Sequence, residues 1–241
     1  MSKKRIRQLT LRGILVLGVM VALLAPSVSA DTTAPLYAKM KQRFATAKPD
    51  HRTGWSFDGA LKPYPAGEQV PPQRGVEFVF PKGTRIRPGA VSSCLASDEQ
   101  ITSEGLGACP AASRVGSGEA GLFFGTAGTL TVETHLFVAE PGLVVVFTSE
   151  SGSVLRVLRA TVERNRVTTT LPPVELSGGY ELAVTTFKLE IQRAGTKKRP
   201  LMRTPKKCPK SKRWKFTYLP RYEEPYGVQR STSTTHCRRQ S

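Results

Sequence analysis

Apolar and polar residues alternate with a period of two along much of this chain. The clearest case is 129–138, where Leu130, Val132, Leu136 and Val138 interleave with Thr129, Thr131, Glu133 and His135. That period puts the two sets on opposite faces of an extended strand, one face buried and the other wet. Further strands are predicted over 76–80, 115–124, 143–148, 154–163, 167–171 and 180–192. Turn chemistry separates them: Pro141-Gly142, Ser151-Gly152, Arg164-Asn165, Pro172-Pro173 and Ser177-Gly178-Gly179. The run 142–147 is apolar throughout and reads as a strand buried on both faces. Near the C-terminus Trp214, Phe216 and Tyr218 alternate with Lys215 and Thr217, which predicts one more strand over 213–219. Short strands about ten residues apart, with hardly a helix between them, imply a meander. They predict an all-β, antiparallel β-sandwich or jelly roll, because parallel strands would need crossover helices; a closed barrel is the alternative.

The N-terminal quarter departs from this pattern. Leu36, Met40 and Phe44 recur at four-residue steps behind Thr33 or Ala34 as a cap and Pro35 in the first turn, which predicts a short helix ending near Ala47. Pro63, Pro65, Pro71 and Pro72 make 49–74 an extended, irregular approach. Ahead of it, Lys3, Lys4, Arg5, Arg7 and Arg12 precede an unbroken apolar run of 13 residues, Gly13 to Ala25, and then Val28-Ser29-Ala30. A positive stretch, an apolar stretch and a small-residue site together predict an export signal cleaved after Ala30. An uncleaved anchor is the weaker reading, since a spanning helix needs about 20 apolar residues and Pro26 follows this run at once. No Cys follows the run to carry a lipid, and no later apolar run could span a membrane once the signal is removed. The predicted organisation is a signal peptide over 1–30, a helix and Pro-rich segment over 31–75, and a single β-domain over 76–241 whose basic C-terminal region begins at 193.

Charge changes the picture. Five of the 36 Lys and Arg lie in the predicted signal, leaving 31 against 18 Asp and Glu, a balance of +13 for the mature chain. Residues 31–192 carry 16 basic and 16 acidic side chains, whereas 193–241 carries 15 basic and 2 acidic. All of the excess therefore sits at the C-terminal end, which points to attraction toward an anionic surface or polymer. Within it Lys197, Lys198, Arg199, Lys206, Lys207, Lys210, Lys212 and Arg213 precede the aromatics Trp214, Phe216, Tyr218, Tyr222 and Tyr226. Cations of this density could hold phosphates while exposed rings stack on sugars or bases. The simpler reading, favoured here, makes the aromatics core and the lysines a solvated, aggregation-resistant edge. Specific nucleic-acid recognition is not expected, because the chain is exported and carries no known binding motif.

Cys94, Cys109, Cys208 and Cys237 are an even number in an exported chain, where disulfides are the default. Three pairings exist; Cys94 with Cys109 and Cys208 with Cys237 is preferred, since each pair brackets a turn-rich or irregular segment. Neither pair has the CxxC spacing of a zinc site, and neither a metal nor a cofactor is expected.

No catalytic constellation stands out. Gly116, Gly118 and Gly121 satisfy GxGxxG, but Leu122-Phe123-Phe124 follows instead of a helix, so a bulge or close-packed strand start is the better reading. His51, His135 and His236 are scattered, without HExxH or GxSxG. His51 near Asp50 and Asp58 could be a base oriented by a carboxylate, although a solvated loop accounts for the same residues. Asp98-Glu99 and Glu223-Glu224 could do acid/base work only if folding gave the two carboxyls different environments.

The stretch Ala108 to Ala120, ACPAASRVGSGEA, resembles one found in uncharacterised exported β-proteins of high-GC Gram-positive bacteria. The resemblance extends to Thr204-Pro205 and Cys208-Pro209 ahead of an aromatic strand, and it implies location and fold, with no catalytic residue to carry over. Two function classes follow. One is a non-enzymatic envelope or extracellular β-domain associating with anionic cell-wall or extracellular polymers through its basic C-terminal region. The other is an extracellular carbohydrate-active enzyme on a jelly-roll scaffold, which requires a pocket with convergent carboxylates or histidines.

Overall fold

A computed structural model of the protein describes residues 37–63 and 68–238; the predicted signal peptide lies outside them. The strands are β1 (Tyr37–Phe44), β2 (Trp55–Leu61), β3 (Gln73–Val79), β4 (Arg85–Ile86), β5 (Arg114–Phe123), β6 (Thr129–Val138), β7 (Gly142–Thr148), β8 (Val154–Glu163), β9 (Arg166–Thr170), β10 (Ala183–Ile191), β11 (Met202–Arg203), β12 (Arg213–Tyr222) and β13 (Ser231–His236). Among the described residues the α-helix is α1 (Asp98–Glu104). Eleven strands form one sheet in the order β1-β2-β10-β5-β6-β7-β8-β9-β3-β12-β13, while β11 and β4 make a separate two-stranded ribbon. Every ladder is antiparallel. The all-β antiparallel class read from the alternation is therefore the observed one, and the meander runs unbroken from β5 to β9.

The layers come from one sheet curled over on itself until β1 and β13 lie side by side. Eleven is an odd number, so an all-antiparallel order leaves these two edge strands running the same way. Gln42 N donates to Ser233 Oγ at 3.1 Å, and further along Arg238 N donates to the Ala47 carbonyl at 2.9 Å. The two partners advance together, as in a parallel pair, and no ladder forms between them. The closure is the least hydrogen-bonded line in the fold.

The enclosed face is aromatic. Phe44 on β1 meets Trp214 and Phe216 on β12, with ring centroids 5.3 and 4.9 Å apart. On β2, Trp55 packs on Phe78 of β3 and on Phe80, both at 5.2 Å, and Phe57 packs on Phe78 and Tyr218 at 5.0 and 5.1 Å. Phe216 has no exposed surface. A side chain buried like this contributes about 1.5–3 kcal/mol, and edge-to-face geometry adds about 0.5–1.5 kcal/mol.

The segment predicted as an N-terminal helix is β1 instead. Residues four apart share a face in a strand as well as in a helix, and Lys39, Lys41 and Arg43 stand opposite Met40, Gln42 and Phe44. Buried Gln42 occupies the inward position between Met40 and Phe44 and masks the period of two. The Pro-rich approach also contains a strand: Trp55, Phe57, Gly59 and Leu61 of β2 are buried and alternate with half-buried Ser56, Asp58 and Ala60. The sheet therefore takes in residues well ahead of 76.

Both disulfides form in the preferred pairing, with Cα–Cα distances of 4.8 Å for Cys94–Cys109 and 5.6 Å for Cys208–Cys237. The first staples the segment around α1, whose start is a capping box: Ser97 Oγ accepts from Gln100 N and Gln100 Oε1 accepts from Ser97 N. That segment packs Cys94, Ile101 and Cys109 on Phe137, Val144 and Val146. It covers the outer face of β6 and β7, which is why 142–147 is apolar on both sides.

Candidate functional site

The basic residues gather at one end of the sheet. A reverse turn carries the first group: Gly195 bridges Pro200, and Thr196 N donates to the Arg199 carbonyl at 3.1 Å, leaving Lys197 and Lys198 at the tip. Gly195 has φ +77°, and a Cβ there would stand 2.5 Å from the Arg199 carbonyl oxygen, so the turn requires glycine. The second group follows β11, where Lys206, Lys207, Lys210 and Lys212 lie in the segment closed by Cys208–Cys237. Lys212 N donates to the Pro209 carbonyl, and Cys237 N to the Lys212 carbonyl, both at 2.9 Å.

Buried Thr204 joins this segment to the loop after β1. Its Oγ1 donates to the Lys48 carbonyl at 2.8 Å and accepts from His51 N at 3.0 Å, while Asp50 N donates to the Pro205 carbonyl at 2.9 Å. Residues 45–54 and 193–213 together carry 12 basic side chains and one acidic, Asp50. Asp50 is taken by ion pairs to Arg85 and Arg203.

Arginines and lysines do different work here. Arg52 donates to the carbonyls of Gly195 (2.9 Å) and Arg193 (2.6 Å), Arg193 to Ala45 (2.9 Å), Arg203 to Asp50 and Lys197 (2.8 Å each), and Arg199 to Gly89 (3.3 Å). Planar guanidinium forks suit such bridging, and these arginines lace the loops together. Lys197, Lys198, Lys206, Lys207, Lys210 and Lys212 are all exposed, and among the described residues none pairs with a carboxylate. They are mobile, solvated point charges on an arginine-laced base. Of the two arginines in the predicted set, Arg199 is partly spent on Gly89 and Arg213 is exposed at the start of β12. Sequence reading missed Arg52, Arg85 and Arg203, which only the fold brings to this end.

The aromatics beside the cations are core, as the simpler reading held. Trp214, Phe216, Tyr218 and Tyr222 are buried and Tyr226 is half-buried, so these rings are not a surface on which bases could stack. Gly116, Gly118 and Gly121 lie within β5, where a Cβ on Gly118 would sit 1.9 Å from the Lys188 carbonyl oxygen of β10. These glycines serve close strand approach. His51 Nδ1 lies 2.7 Å from the Pro49 carbonyl and Asp58 pairs with Lys39, so neither carboxylate orients the ring.

His135 is buried, between Arg114 Nη2 at 2.7 Å from Nδ1 and Thr148 Oγ1 at 3.0 Å from Nε2. Arg114 can only donate, so Nδ1 accepts and the neutral ring carries its proton on Nε2. Burial first, and then the Arg114 charge, push His135 below its ordinary value, with Glu133 opposing. Asp98 pairs with Arg159 at 2.8 Å and Glu223 with Arg74 at 2.7 Å. The Arg74 guanidinium holds Glu223 below the usual carboxylate range, and Glu99 is lowered by a backbone hydrogen bond and then by Ser97 at the helix start. Among the described residues no three His, Cys, Asp or Glu group as metal ligands would.

No family model matches the chain, and no curated protein matches it. Among solved structures, the backbone protein of group B streptococcus pilus 2b is similar at 9% identity and a TM-score of 0.27, over 79% of this chain and 55% of that one. This chain spans about half the length of that protein, and a TM-score of 0.27 carries no argument about fold or function.

Proposed function

We propose that the protein is an exported, non-enzymatic β-domain of the envelope or extracellular space that associates with anionic cell-surface polymers through its basic end. One observation carries this reading: six exposed lysines without carboxylate partners stand on a base whose arginines are spent internally and whose one acid is neutralised. Flexible ammonium groups suit a repetitive, irregular polyanion better than a single shaped anion, which favours the planar fork of arginine. Two formed disulfides fit an oxidising compartment and accord with export. A lysine near a strongly anionic surface contributes about 1 kcal/mol, so removing six lowers affinity well over tenfold even if the contributions do not add. The test is calorimetric titration with polyphosphate as the probe, using wild type and the Lys→Gln variant at 197, 198, 206, 207, 210 and 212. Binding that weakens with salt and falls more than tenfold in the variant supports the reading, and equal binding by both proteins refutes it.

A further inference from the structure

The opposite end of the sheet, away from the lysines, holds a different feature. A cavity of about 80 Å³ lies inside the curled sheet, walled by apolar side chains that include Val145, Phe147, Leu158, Val184 and Phe187. A second pocket of about 50 Å³ shares Phe147, Leu158 and Val184 with it and opens between Leu171, Pro172, Val174 and Leu182. Together they form one apolar recess with a mouth. Protein interiors close such voids, so an unfilled recess is a departure from ordinary packing. A wholly apolar cavity also stays dry, and one of about 150 Å³ binds benzene.

Two guanidinium groups, Arg74 and Arg156, line the mouth. Arg74 is already clasped by Glu181 at 2.6 Å and Glu223 at 2.7 Å, and these carboxylates hold it firmly protonated. Arg156 donates to the Pro172 carbonyl at 3.0 Å and, among the described residues, meets no carboxylate. It is a cation with donors to spare, at the entrance of a dry apolar space. From this juxtaposition we propose that the recess binds the acyl end of a small anionic amphiphile, with Arg156 holding its head group. A free fatty acid and a membrane phospholipid share that chemistry.

The test uses the oxidised protein and calorimetric titration with decanoate, decanol and dioctanoyl phosphatidylglycerol, each below its micelle concentration. Wild type is expected to bind decanoate at least fivefold more tightly than decanol. Arg156→Gln should remove that difference, and Val145→Phe, which fills the cavity, should weaken decanoate binding at least tenfold. Leu182→Phe plugs the mouth without entering the core, so it gives the same result if Val145→Phe does not fold. Decanoate binding with this pattern supports the proposal with a free fatty acid as ligand. Binding of the phosphatidylglycerol alone, with the same response to the variants, supports it with a membrane lipid as ligand. It is overturned if neither anionic ligand binds, if Arg156→Gln leaves the preference intact, or if Leu182→Phe leaves the affinity unchanged.

Discussion

Removing the Cys208–Cys237 staple tests how this fold holds its basic end. The bond joins residues 29 apart in sequence, against 15 for Cys94–Cys109. On the chain-entropy model the two closures stabilise by about 3.6 and about 3.0 kcal/mol, through loss of disorder in the unfolded chain. For a domain of this size, 1 kcal/mol moves the melting temperature by about 2–4 °C. Cys237 is buried within the aromatic cluster, so alanine is the substitution there, to avoid burying a hydroxyl. The Cys208→Ser, Cys237→Ala protein should therefore melt about 7–14 °C below wild type by calorimetry under non-reducing conditions. A Cys94→Ala, Cys109→Ala protein should lose slightly less. A loss under about 2 °C in the first, or a loss in the second several times larger than in the first, would refute the argument that loop closure dominates.

Other perturbations follow from particular contacts. His135 is held neutral in the fold, so the unfolded chain takes up a proton that the folded chain refuses. Stability is then full above its ordinary value of 6.5 and falls below it, by up to about 1.4 kcal/mol per pH unit, a slope that His135→Gln should flatten in denaturant titrations from pH 7 to 5. Gly118→Ala puts a methyl 1.9 Å from the Lys188 carbonyl oxygen and should destabilise by about 3 kcal/mol in urea unfolding; a loss under about 1 kcal/mol would show that β5 and β10 separate easily. Hydrogen exchange should show β1 opening at much lower free energy than β6, because β1 has a ladder on one side and β6 on both. Equal protection would contradict the open seam.

The strand pattern was readable where a strand has one wet face. The ranges 129–138 and 154–163 coincide with β6 and β8 because their outward residues are polar and turns flank them. β13 could not be read that way: Ser231–His236 is all Ser, Thr and His, and only its pairing with β12 defines it. β1 was misread because Gln42 is inward and polar. α1 had a signal, Ser97 with Gln100 three residues on, that went unused among the neighbouring turns. For the basic end, sequence supplied the lysines but not their base, since Arg52, Arg85 and Asp50 reach it only through tertiary contacts with 193–205.

The central claim, that the six exposed lysines are a polyanion-binding surface, is tested most directly by co-sedimentation of the oxidised protein with purified bacterial envelope. The comparison is between low salt and about 1 M salt, where the screening length falls to about 3 Å. The account predicts that wild type sediments at low salt, is released at high salt, and loses its sedimentation when the six lysines are changed to glutamine. Sedimentation that survives both high salt and the lysine changes would contradict it.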